Sequence, residues 1–118
     1  MYKRQAIKNK KINYLDNVNQ TIKIIRQLDE EVPVIVVGLY NPFPDNEQLD
    51  LILEDWNEDL KDTVNHYSSI TFVPTNDLFQ NKSKEDYFSD SLHLNQNGYR
   101  LIANRINESI RKGYGYTP

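Results

Sequence analysis

Seven consecutive residues, Val34-Ile35-Val36-Val37-Gly38-Leu39-Tyr40, carry no charge and show no polar alternation. A run of β-branched residues with that pattern reads as a strand covered on both faces, the habit of parallel sheets in α/β proteins. The run therefore dictates its surroundings, since both of its faces need helices. The flanking sequence offers them. Upstream, Ile12, Leu15, Val18, Ile22, Ile25 and Leu28 recur in steps of three and four, one face of a helix of about five turns. Downstream, Leu49, Ile52, Leu53, Trp56, Leu60 and Val64 form a second stripe with acids opposite, and Asn46 or Asp45 stands where its cap belongs. Trp56 lies within that stripe and reads as core. His66 falls where this helix ends, a place that favours an imidazole through the helix C-terminus and implies no chemistry.

Ile70-Thr71-Phe72-Val73-Pro74 reads as a short second strand, followed by a turn at Asn76-Asp77-Leu78-Phe79 and a polar stretch from Asn81 to Ser89 that reads as loop or single helical turns. A last helix is expected from about Asn95 to Lys112, with Tyr99, Ile102, Ala103, Ile106 and Ile110 on one face and Gly113 as its stop. The tail, residues 114–118, reads as loose. The order is helix, strand, helix, strand, loop, helix. Between the first strand and the second helix, Tyr40-Asn41-Pro42-Phe43-Pro44 breaks the chain with two prolines. Loops at the carboxyl ends of parallel strands are where α/β proteins meet ligands. Tyr40, Asn41 and Phe43 are therefore candidates to wall a substrate pocket, and covering the sheet end is the equally open alternative.

Composition narrows the chemistry. There is no cysteine, so thiolate nucleophiles, disulfides and cysteine metal sites are excluded, and two separated histidines make no ligand cluster. No cofactor or metal is expected. No run reaches transmembrane length, and the first residues lack the apolar segment of a signal peptide. A longer parent could be secreted, membrane-anchored or cytoplasmic. Lys3, Arg4, Lys8, Lys10 and Lys11 make residues 1–11 a basic arm, while eight acids and one lysine lie between Asp45 and Asp62. The arm has no interleaved aromatics and the formal net charge is −3, so it reads as solvated and not as a nucleic-acid contact.

The chemistry concentrates in Ser89-Asp90-Ser91-Leu92-His93-Leu94-Asn95, at the start of the last helix. In a turn, a carboxylate three residues before a histidine can accept Nδ1–H, which leaves Nε2 outward as a base. A histidine beside a helix start also serves as a surface or capping residue, so the local context matters. The run Ser-Asp-x-x-His-x-Asn-x-x-Gly-Tyr entering a C-terminal helix resembles the last block of the SGNH, or GDSL-type, hydrolases. The run Gly38-Leu39-Tyr40-Asn41-Pro42-Phe43 looks most like the bacterial lipase/acylhydrolase members.

That resemblance implies a partial flavodoxin-like, three-layer α/β/α fold with two parallel strands in this chain. It implies a serine ester hydrolase acting on a small-molecule ester or lipid, with His93 as general base and Asp90 as its orienter. The family's Gly-Asp-Ser nucleophile block and Gly-x-Asn oxyanion block are both absent. Ser91 lies between the two triad members, Ser89 has a similar problem, Ser68 and Ser69 precede a strand, and Ser83 sits in a polar loop. The chain therefore reads as residues 1–118 of a single incomplete α/β domain, the C-terminal portion of such an enzyme and inactive alone. Its expected partner is the missing N-terminal half, or a second copy docked through an exposed sheet edge. The alternative is a small non-catalytic α/β interaction module derived from the same fold.

Overall fold

The computed structural model describes residues 2–113, with side chains from Arg4 to Lys112. Six elements follow one another: α1 (Tyr2–Leu28), β1 (Val34–Val37), α2 (Glu47–Val64), β2 (Ile70–Val73), α3 (Lys84–Tyr87) and α4 (Gln96–Gly113). The two strands pair in parallel, with Val34 opposite Ile70 and Val37 opposite Val73. This is the expected architecture, with α3 as a single helical turn in the polar stretch between β2 and the last helix. The tail 114–118 lies outside the described residues.

Three layers hold the sheet. Ile22 of α1 and Leu60 and Val64 of α2 are buried together, and Val36, Ile70 and Phe72 pack against them from one face of the sheet. Strand alternation turns Ile35, Val37, Thr71 and Val73 the other way, where α4 packs against β2. A second core gathers Phe79, Phe88 and Leu94, with Tyr40, Leu101 and Ile102 against it. The turn and polar stretch read from the sequence thus contribute two core aromatics. Phe79 and Phe88 stand 5.2 Å apart, edge to face. Neither ring belongs to an extended apolar repeat, since Gln80 follows Phe79 and Ser89 follows Phe88, which hides both from any periodicity.

Several expectations need correction. The basic arm is helix: α1 runs back to Tyr2. Lys, Arg, Gln and Ala are strong helix formers, so these residues propagate a helix that packing nucleates further along. Lys11 also bonds Asp55 and Asp59 of α2 at 2.8 Å each. At the ends of the α1 stripe, Ile12 and Leu28 are exposed, Leu28 at 85%, because α1 overhangs a sheet of two strands. Trp56 is half-buried and stacks on Tyr14 at 5.9 Å.

The apolar strand itself ends at Val37, and all four of its residues are half-buried. The expected cover on both faces is incomplete. Beyond Val37, Gly38 N–H bonds the Val73 carbonyl at 2.8 Å, and the Asn57 amide of α2 brackets Leu39, accepting its N–H at 2.8 Å and donating to its carbonyl at 3.0 Å. Thr75, fully buried, donates to the Gly38 carbonyl and ties the two strand ends together. At the opposite end of the sheet the Arg26 guanidinium donates to the carbonyls of Val32 and Ser68 at 2.9 and 2.8 Å.

Candidate active site

The segment from Phe88 to Leu94 is a hairpin. Phe88 and Leu94 form an antiparallel bridge at its base, and Ser89 N–H bonds the His93 carbonyl at 2.8 Å. Asn95 then caps α4: its side chain accepts Gly98 N–H at 3.0 Å while its own N–H bonds the Tyr87 carbonyl at 2.9 Å. The sequence at the start of α4 thereby anchors the hairpin from behind.

At the tip, Asp90 Oδ1 accepts the backbone N–H groups of Leu92 and His93 at 2.8 and 2.7 Å, an Asx turn that folds the carboxylate back over the chain. Both carboxylate oxygens then face His93 Nδ1, at 3.0 and 2.9 Å. With Nδ1–H donating, Nε2 carries the free lone pair. The two backbone bonds, followed by the imidazole, hold the Asp90 carboxyl down at about 2 from an ordinary 3.8. Asp90 is therefore an anion throughout the range in which an imidazole works as a base. Both side chains are open to solvent, His93 at 71% and Asp90 at 56%.

The Tyr40–Pro44 loop lies beside this hairpin. Tyr40 crosses Phe79 and Phe88 edge to face and directs its hydroxyl to the Leu92 carbonyl at 3.4 Å. Burial, then Tyr99 and Asp90, push the Tyr40 phenol above its ordinary value. Asn41 is buried and turned into the loop, where Oδ1 accepts Phe43 N–H at 2.8 Å and Nδ2 points to Asn46 and Asp50. Asn46, one of the two residues anticipated as a cap, accepts Leu49 N–H at the start of α2. Phe43 is exposed and shares an open groove with Pro44, Asp45, Asn46, Lys82 and Lys84. So Tyr40 and Phe43 border the hairpin, while Asn41 shapes the loop from inside.

Lys84 escapes sequence reading because it sits in a polar stretch. Its ammonium donates to the Ser91 carbonyl at 2.7 Å and lies 4.1 Å from the Phe43 ring centre. His66 behaves as its position implies, with Nδ1 bonded to the Asp62 carbonyl at 2.7 Å. Among the described residues no serine hydroxyl hydrogen-bonds the His93 ring: Ser89 Oγ donates to the His93 carbonyl and Ser109 Oγ to Arg105. No group of three or more His, Asp or Glu side chains converges among them as metal ligands.

A parallel α/β sheet with a hydrogen-bonded Asp–His pair beyond the carboxyl end of β1 is consistent with a hydrolase-like domain. Comparison with known proteins gives the family. The model of the GDSL-like Lipase/Acylhydrolase family matches residues 3–101, and the chain belongs to that family. It is 30% identical to the uncharacterized protein YpmR of Bacillus subtilis over 105 residues, which is 84% of this chain and 41% of that protein. It is 27% identical to the spore germination lipase LipC of Bacillus licheniformis over 103 residues, 87% of this chain and 47% of the other. The chain thus spans less than half the length of these curated relatives. A solved Streptococcus pneumonia structure, assigned provisionally as a platelet activating factor, shares the fold with a TM-score of 0.68 at 18% identity. That match takes in 83% of this chain and 50% of the other.

Proposed function

We propose that this chain carries the acid–base half of a serine ester hydrolase. His93 takes the proton of a serine hydroxyl as it attacks an ester carbonyl, then returns it to the leaving alcohol. Asp90 holds the imidazole in the required tautomer and stabilises the imidazolium that forms. The observation that carries this reading is the Asp90–His93 pair itself, with both carboxylate oxygens at 2.9–3.0 Å from Nδ1. Tyr40 and Phe43 wall the substrate, a small-molecule ester or lipid, and Asn41 keeps their loop in shape.

The serine and the oxyanion donors come from polypeptide outside these 118 residues, seated along the open edge of β1. Three observations support this: no Gly-Asp-Ser or Gly-x-Asn block occurs, and among the described residues no serine hydroxyl bonds the His93 ring and the sheet has two strands. Removing even one oxyanion donor typically costs on the order of 10²–10³ in rate, so the chain alone has no useful activity.

The test is hydrolysis of a chromogenic short-chain ester by the chain alone and mixed with the part of LipC that lies outside the 103 matched residues. Activity is expected only in the mixture and is expected to disappear with His93→Ala. A mixture that binds yet stays inactive would favour the non-catalytic interaction module instead.

A further inference from the structure

An Asx turn at the tip of an exposed hairpin has little to hold it still. Asp90, Ser91, Leu92 and His93 are all exposed, so water competes for the bonds among them. The bridge at Phe88 and Leu94 fixes the base only. Two contacts reach the tip from outside. Tyr40 Oη meets the Leu92 carbonyl at 3.4 Å, near the limit at which a hydroxyl bond has any strength. Lys84 Nζ meets the Ser91 carbonyl at 2.7 Å, a short bond from a charged donor and one of the stronger kinds.

The ammonium is itself located. Its position is half-buried, 4.1 Å from the Phe43 ring centre and 5.2 Å from that of Phe88. A cation over two ring faces is attracted by both quadrupoles. One side chain therefore joins the hairpin base at Phe88, the hairpin tip at Ser91 and the loop wall at Phe43. We infer that Lys84 is a positioning residue, whose bond to the Ser91 carbonyl locks the tip so that the Asp90 carboxylate stays aimed at His93 Nδ1. This rests on the reading of His93 as the base, because its purpose is to keep Nε2 pointed outward.

The pair can be read in the chain as it is, without a nucleophile. Proton–nitrogen correlation NMR at neutral pH separates the two imidazole tautomers, and His66 is an internal control, since its Nδ1 is held by the Asp62 carbonyl far along the chain from the hairpin. The parent chain is expected to show His93 with its proton on Nδ1. Lys84→Met keeps the apolar stem against the rings and removes the donor. It is expected to lose the fixed Nδ1–H signal of His93, leave His66 unchanged, and leave the urea midpoint close to the parent's. Lys84→Arg, which donates and sits over aromatic rings in its turn, is expected to restore the signal, and Tyr40→Phe to disturb it less than Lys84→Met.

An unchanged His93 signal in Lys84→Met, with the parent tautomer in place, overturns the role of Lys84 and leaves the acid–base reading standing. A parent chain without the Nδ1–H tautomer overturns both. Should Lys84→Met fail to fold, Lys84→Gln is read instead: partial loss of the signal supports the role and an unchanged signal refutes it.

Discussion

The ionisation of Asp90 is set almost entirely by its own turn. Backbone N–H groups of Leu92 and His93 stabilise the carboxylate first, the imidazole after them, and the carboxyl falls to about 2. A depressed carboxyl favours the folded turn at any pH above the ordinary 3.8, and that contribution disappears as pH drops through about 2. Asp77 acts with the same sign, held low by the Arg105 guanidinium through two bonds of 2.9 Å. Carboxyl-carbon shifts recorded against pH are expected to give Asp90 a midpoint near 2. A midpoint at 3.8 would mean that the Asx bonds are not made. The Asp-x-x-His pair was legible in the sequence because a separation of three residues in a turn brings the two side chains within reach of each other. Lys84 was not legible, since its value depends on Ser91 and on Phe43, a residue forty-one positions earlier, meeting at one point.

The last helix illustrates how an element can be read correctly while its fit is not. Its Asn95 cap and the Ile102, Ile106 and Ile110 part of its stripe follow from local periodicity and capping chemistry, while Tyr99 and Ala103 of that stripe are exposed. The need for Gly98 does not. A methyl group there would stand 2.4 Å from the Tyr87 carbonyl oxygen and 2.9 Å from Leu94 Cδ2, because the first turn of α4 lies directly against the hairpin. Alanine gains about 1 kcal/mol over glycine in helix propensity, whereas overpacking against fixed backbone costs about 1–3 kcal/mol. The second effect is expected to win, and Gly98→Ala should lower the free energy of unfolding measured in urea. An increase would mean that the hairpin yields to α4. The helical N-terminal stretch of α1 went unread for the opposite reason. Its residues favour helix strongly but bury little, so no apolar stripe announces them.

As a whole the molecule is broad and thin, 43 × 39 × 19 Å. Its radius of gyration is 15.7 Å, against about 13.5 Å for a compact domain of this length. It exposes 8452 Å², where a compact monomer of 13.9 kDa exposes about 6,700 Å², an excess of roughly 1,800 Å². Standard interfaces cover about 800 Å² on each partner and obligate ones about 1,000–2,500 Å², so the surplus is of the size an obligate interface would remove. The open edge of β1 (Val-Ile-Val-Val) has no charged residue to discourage strand pairing. On its own, the chain is expected to self-associate along that edge. Light scattering during size-exclusion chromatography should give a mass that rises above 13.9 kDa with concentration, and Val37→Lys should reduce the rise. A constant monomer mass at all concentrations would count against it.

Much of the local order was legible in short stretches: the helix periods, the β-branched run and the Asp-x-x-His block. These depend on neighbours within a few residues, so the sequence alone determined them. Tertiary structure decided how far the sheet is covered, that Phe79 and Phe88 enter a core, and that Tyr40 and Lys84 reach the hairpin tip. Those outcomes depend on contacts between distant segments, whose geometry no local pattern contains.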